Sequence, residues 1–325
     1  MIGCGNNEER AVIPAINKLI LRPARGSPGM VLILTLALGL LLPGIGAAAP
    51  ETLYERLAYT DMVVHVRTLD GTLRLAECQV LEVLKGSYAG DKLFIAFRTD
   101  NTQRENFRDR IDFMDGQESI LLLAPVLDSL GHPRAANRFR LVGKLGGKID
   151  LPQEGAQATL DAVRRLSAIQ NLTDIHQIWA AHRLLILATN PILVETGFSQ
   201  ILKFRLGNPE MVPTLLEFLD SQDDSFRRAA LQVQTQIFSK SRRDQAPLGN
   251  EDHVVARLLT VALEDPTPEV RVAAVQALNA YGRPDVLAAL QQVARDDPSQ
   301  SVRYEATVSV YRLRRENHAS QAPAP

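Results

Sequence analysis

Between Val254 and Ala306 the chain repeats itself at a spacing of 32 residues. Val254, Ala256, Leu258, Val261 and Ala262 recur as Val286, Ala288, Leu290, Val293 and Ala294. Asp265-Pro266, Val270-Arg271 and Ala274 recur as Asp297-Pro298, Val302-Arg303 and Ala306. A period in this range means stacked supersecondary units, because one unit cannot bury its apolar face alone. Within each unit the apolar residues return three or four positions apart, a helical stripe. Asp-Pro then breaks the chain and opens a second helix.

Carried backwards, the phase places Phe226-Arg227 and Ala230 where Val270-Arg271 and Ala274 stand, and Asn190-Pro191 with Leu193 and Gly197 gives a fainter copy. The phase points 193, 226, 270 and 302 are 33, 44 and 32 residues apart. The long interval places an insertion in the polar, turn-rich stretch 239–250. Four helix pairs are predicted, with first helices near 174–188, 209–220, 251–264 and 284–295. The second helices fall near 191–206, 224–240, 268–281 and 299–315. Gly197, Ala230, Ala274 and Ala306 mark close helix crossings.

The stretch Asp265-Pro266-Thr267-Pro268-Glu269-Val270-Arg271-Val272-Ala273-Ala274-Val275-Gln276-Ala277-Leu278 resembles the short HEAT-like repeats of bacterial proteins, and the resemblance covers about 173–315. It implies an α-solenoid offering a long surface to protein partners. Arg227, Arg271 and Arg303 then read in two ways: as a row meeting an anionic partner, or as a ladder bonding to an aspartate six residues earlier or in the adjacent repeat. Before Arg227 the equivalent of Asp265 is Ser221, so the ladder breaks there or uses Asp223. In the inserted loop, Lys240, Arg242 and Arg243 are further candidates for partner contact, since lengthened loops at solenoid edges often carry function.

Residues 1–49 read as a leader. Met30–Leu42 runs uncharged and almost wholly apolar, Arg22 and Arg25 flank it, and Ala47-Ala48-Ala49 follows, the layout of a secretory signal peptide. The run is shorter than the roughly 20 residues of a spanning helix. The chain is therefore expected to be secreted or periplasmic, or else held by a single membrane anchor if the leader stays. Cys78 is then the one cysteine left after the leader, a small buried strand residue or a reactive thiol.

From 50 to 152 the period shifts to that of strands. Asp61–Arg67, Thr72–Leu84, Lys92–Phe97, Ser119–Leu123 and Arg138–Val142 form the candidate strands, with turn signals at Asp70-Gly71, Lys85-Gly86 and Asp115-Gly116. Asp61/Val63/Val64, then Val80-Leu81-Glu82-Val83-Leu84-Lys85-Gly86, then Gly116-Gln117 before Leu121-Leu122-Leu123 resemble small exported OB-like, tissue-inhibitor-like β-domains. That resemblance implies a fold, not an activity. Phe94, Phe97 and Phe107 with Arg98, Arg104, Arg108 and Arg110 either bind a ligand on a strand face or fill the core and a solvated loop.

The fold class is thus α+β in two domains, a five-stranded β-barrel or sandwich (50–152) followed by a connecting helix (153–172) and an α-solenoid (173–315). Residues 316–325 read as a disordered tail. A net charge of −1 argues against a nucleic-acid partner. No Gly-x-Ser-x-Gly elbow, His-x-x-x-His pair or Cys-x-x-Cys occurs. Gly143-Lys144-Leu145-Gly146-Gly147-Lys148 lacks the Ser/Thr of a phosphate loop, and Asn171-Leu172-Thr173 is a glycosylation triplet with meaning only in a suitable host. The expectation is a non-enzyme without cofactor or metal, an exported scaffold binding protein through its solenoid. The alternatives are a saccharide, oligonucleotide or small ligand on the barrel, or a hydrolase or lyase site in the cleft between domains.

Overall fold

Apolar residues come in unbroken runs at Met62-Val63-Val64 and Ile120-Leu121-Leu122-Leu123, and such runs belong to strands covered on both faces. The computed structural model describes residues 52–71, 75–96, 112–127, 132–133, 135–142, 147–244 and 251–321. The leader, Phe97, Arg98, Arg104, Phe107, Arg108, Arg110 and the glycines at 143 and 146 lie outside them, as do 245–250 and 322–325.

After a short helix α1 (Leu53–Ala58) come β1 (Met62–Gly71), β2 (Leu75–Lys85), β3 (Lys92–Ala96), β4 (Glu118–Pro125), β5 (Arg138–Leu141) and β6 (Lys148–Asp150). Strand order β1-β2-β3-β5-β4 closes when β4 returns antiparallel to β1, pairing Val64 with Leu121 and Met62 with Leu123. β3 and β5 are the parallel pair. The closed path is a five-stranded barrel. β6, which the sequence pattern did not announce, extends the sheet along β4 by pairing Ile149 with Ile120. The Asp70-Gly71 turn signal is also displaced: both residues pair within the β1–β2 ladder, Gly71 against Ala76.

Val64, Val66, Cys78, Leu93, Ile95, Leu121, Leu123 and Phe139 fill the barrel. Their neighbours Val63, Ile120 and Leu122 point the other way. They pack against Leu53 and Leu57 of α1 and Leu160, Val163 and Leu166 of α2 (Ala156–Gln170). Period 2 along the strands therefore splits one apolar run between two cores. Lys85 closes this seam: its Nζ donates to the Leu57 carbonyl at the end of α1 and, at 2.9 Å, to Gln170 Oε1 of α2. Gly86 follows with φ +80°, and a Cβ there would lie 2.6 Å from the Asp61 carbonyl oxygen. The Lys-Gly motif is thus a tie and a tight turn.

The helical array follows as pairs. α3 (Ile175–Leu185) and α4 (Pro191–Phe204) form the first. A first segment of one α-helical turn and more, α5 (Val212–Glu217), flanked by 3₁₀ turns, leads into α6 (Asp224–Asp244). Then come α7 (Glu251–Glu264) with α8 (Pro268–Tyr281), and α9 (Leu287–Asp296) with α10 (Gln300–Gln321). Asp174 caps α3 by accepting from His176 N at 2.7 Å and Gln177 N at 3.1 Å. Asn190 caps α4 by accepting from Ile192 N at 2.9 Å, so side chains satisfy orphan amides at these turns. One core runs through the pairs from Ile186 to Leu313 and holds Val270, Ala274, Val302 and Ala306, all at 0 % exposure.

Two expectations need correction. Lys240–Asp244 is not loop but the last turn of α6, because the apolar stripe continues through Phe238 to the buried Ser241. Likewise α10 continues past Glu316 to Gln321 where a disordered tail was expected. By contact, the chain from 51 onward is one compact unit, barrel and array together.

Gly197 sits where α4 crosses the end of α3. A Cβ on it would meet Leu185 Cβ at 2.9 Å and the Ile186 amide nitrogen at 3.0 Å. Gly197→Val should lower unfolding free energy in urea by about 2 kcal/mol, the overpacking cost outweighing the better helix propensity of valine.

Candidate functional site

The three phase-locked arginines stand in one line along the second helices. Arg227 Nη1 donates to the Ser221 carbonyl at 2.9 Å, Arg271 Nη1 to the Asp265 carbonyl at 2.7 Å, and Arg303 Nη1 to the Asp297 carbonyl at 2.6 Å. Each acceptor stands six residues earlier, where the first helix of the pair has ended and its carbonyls lack partners. The remaining edge of the guanidinium reaches forward. Arg227 forks onto Asp265 (2.8 and 3.0 Å) and Arg271 onto Asp297 (2.8 and 2.9 Å). Such planar forks are among the strongest polar contacts available.

Each aspartate also folds its own turn, with Oδ1 accepting from Thr267 N at 2.9 Å and from Ser299 N at 2.8 Å. Burial works against the Asp297 carboxylate, but the Arg271 fork and the Ser299 amide outweigh it and hold its pKa below the usual range. Arg227 and Arg271 are 8% and 6% exposed. Their donors are taken by the next repeat, so as partner-contact residues both are corrected: they are rungs. Arg303 keeps the carbonyl bond, while its Nε–Nη2 edge makes no ion pair among the described residues. At the other end, Val194 replaces the arginine and Ser221 the aspartate it would hold, so both halves of the first rung are missing together. Asp223 does not replace Ser221; it caps α6 by accepting from Ser225 N at 2.8 Å.

Of the other candidates, Lys240 is exposed at the end of α6. Arg242 bonds to Glu316 of α10 at 2.6 Å and lies over Gly282, where a Cβ would come within 2.5 Å of its Nη1. Arg243 donates to the Ser239 carbonyl at 3.2 Å. The three do not converge with the ladder on one site.

A second polar group lies on the outer wall of the barrel. His65 Nε2 and Glu118 Oε2 are 3.0 Å apart, and Arg67 donates to Glu118 at 2.6 Å. Arg164 of α2 forks onto Glu82 at 2.9 and 2.5 Å and also reaches Asp161. The Arg67 bond holds Glu118 below the usual carboxylate range, and Arg164 does the same for Glu82. Both acids are thereby fixed as anions bound to cations, and the Arg164 fork ties α2 to the barrel. An open cavity of ≈ 570 Å³ lies elsewhere, between α5 and α7, lined by Val212, Pro213, Leu216, Glu217, His253 and Arg257 among others. Arg257 is spent on Asp220 at 2.6 Å.

Two buried titratable groups belong to packing. Burial pushes the Cys78 thiol up to about 11, so it stays protonated inside the barrel. His182, 2% exposed, meets Tyr54 of α1 edge-on at a centroid distance of 4.8 Å, and burial lowers its pKa to about 4. It is a neutral wedge between α1 and the first helix pair, which the sequence pattern did not single out. Among the described residues no group of three or more His, Cys, Asp or Glu has the arrangement of a metal site, and no helix is long and apolar enough to cross a membrane.

A family model described as HEAT repeats matches residues 246–310. No curated protein and no solved structure matches the chain. The array is therefore a HEAT-like helical repeat region behind a β-barrel, the match falling on the two repeats whose ladder residues recur most closely.

Two measurements check the polar packing. Arg271→Met strands a buried carboxylate and should cost about 3 kcal/mol in denaturant unfolding. Adding Asp297→Asn should recover more than about 1 kcal/mol, since the amide keeps the turn without an unpaired charge. For His182, the unfolded chain takes up a proton near pH 6.5, while the folded chain refuses it until about 4. Stability should fall as pH drops through that window, by about 2 kcal/mol more in the native chain than in His182→Phe.

Proposed function

We propose that the protein is an exported, non-catalytic binding protein whose helical array presents a surface to protein partners. The observation behind this reading is the repeat stack itself. Its apolar stripes and two of its three ladder arginines are consumed internally, which leaves the outer faces of successive helices as an extended platform. Stacked repeats suit that work, because each adds contact area without disturbing its neighbours. The family match supports a role in protein–protein interaction. Export rests on the leader read from the sequence. The barrel, fused to the array through α1 and α2, is in this reading the anchor that holds the first repeat.

A second reading places a saccharide, oligonucleotide or small ligand on the barrel. The closed order β1-β2-β3-β5-β4 with β3 parallel to β5 supports the OB-like resemblance. Phe94 is half-buried on the outer side of β3, between the inward Leu93 and Ile95.

Cross-linking of tagged full-length protein in the exported fraction of its host, followed by mass spectrometry, tests the first reading. Defined protein partners cross-linked to α3–α10 are expected. Cross-links confined to the barrel, or recovery no better than a variant with its helical surface charges shuffled, would sink it. Sequencing the mature amino terminus in the same sample decides whether the leader is removed.

A further inference from the structure

The regular spacing of the repeats is interrupted at one junction, and a groove lies there. The phase points 226 and 270 stand 44 residues apart, where the other intervals are 33 and 32. At this junction α6 and α8 pack closely, whereas α5 and α7 touch little. α5 keeps six residues of α-helix between two 3₁₀ turns, and Pro209 and Pro213 withhold amide donors from its first turns. So short and irregular an element does not lie flush along α7, which runs fourteen residues. The open cavity of ≈ 570 Å³ occupies the space between them, a volume in the range of small-molecule sites.

Its floor is apolar and its rim carries an excess of one charge. Val212, Leu216 and Val254 line the floor, all three buried. On the rim, Arg257 of α7 donates to Asp220, just past α5, at 2.6 Å, so that this neutral pair bridges the groove. Glu210 and Glu217 remain, both exposed. Among the described residues Glu210 accepts only from Asn208 Nδ2, at 3.4 Å, and Glu217 has no side-chain partner. His253 is the other polar side chain lining the groove. A cleft of low dielectric focuses the field of uncompensated charges. A cation with an apolar body satisfies floor and rim together, whereas an anion of the same shape is repelled by the rim.

We propose that the groove between α5 and α7 binds a small organic amine, its aliphatic or aromatic body on Val212, Leu216 and Val254 and its ammonium group toward Glu210 and Glu217. This site goes beyond the protein-binding reading above and does not depend on it.

The test titrates the full chain with three dansyl probes that differ in charge, dansylcadaverine (cationic), dansylamide (neutral) and dansylglycine (anionic), in fluorescence anisotropy at low ionic strength. Dansylcadaverine is expected to bind about tenfold tighter or more than dansylglycine, with dansylamide between them. Glu210→Gln with Glu217→Gln should bring the three affinities within about threefold of one another. Glu217→Arg alone should weaken dansylcadaverine by about tenfold. These acids lie outside the core, and the urea midpoint of each variant checks that it folds. Hydrogen exchange with dansylcadaverine bound should show protection in α5 and the first half of α7. Equal affinities, no binding by the amine, a preference unchanged by the substitutions, or protection that falls outside α5 and α7 overturns the proposal. Any of these leaves the protein-binding reading standing, since that is judged on the cross-linked partners.

Discussion

A helix pair with apolar residues on one stripe has nowhere to hide that stripe except against another pair. Everything in the carboxy-terminal half follows from this requirement. Val270, Val302, Ala274 and Ala306 vanish from solvent because a neighbour lies on each, and small residues stand where helices approach closest. The arginine–aspartate rungs add what apolar contact lacks, a preferred register. A guanidinium that must meet a turn carbonyl behind it and a carboxylate ahead of it fixes how far one pair slides along the next. Losing one half of a rung strands a buried group, whereas losing both halves leaves none unpaired, and Val194 with Ser221 is the second case.

The barrel joins the stack by the same logic. β1 and β4 have apolar residues facing both ways, and the outward set needs a cover. α1 and α2 supply it, with Leu57 and Leu166 fully buried, and their other sides meet Leu185 and Leu193 of the first pair. One apolar seam therefore serves as outer wall of the barrel and as first layer of the array.

The helices were legible because their cause is periodic: Asp-Pro punctuation and a stripe three to four residues apart mark both ends and the buried face. The ladder was half legible. Spacing of six residues pointed to Asp265 and Asp297, yet the atom accepting at that distance is the backbone carbonyl, while the carboxylate belongs to the arginine of the preceding repeat. Sequence spacing alone does not distinguish the two. Lys240–Asp244 misled because polar residues there resemble a loop, whereas only Phe238 and Ser241 needed burial to extend the helix. β6 was invisible, being three residues long and dependent on the edge of β4. His182 was illegible for a related reason: its partner, Tyr54, lies 128 positions away, a separation that leaves no local pattern.

The seam beneath α1 and α2 also makes the two ends of the array unequal. At the near end the first pair is pinned through α1 and α2 to a closed barrel. At the far end, among the described residues, α10 packs chiefly on α8 and α9. Local opening is therefore expected to cost less at α10 than at the end held by the barrel, as in a strip riveted at one side.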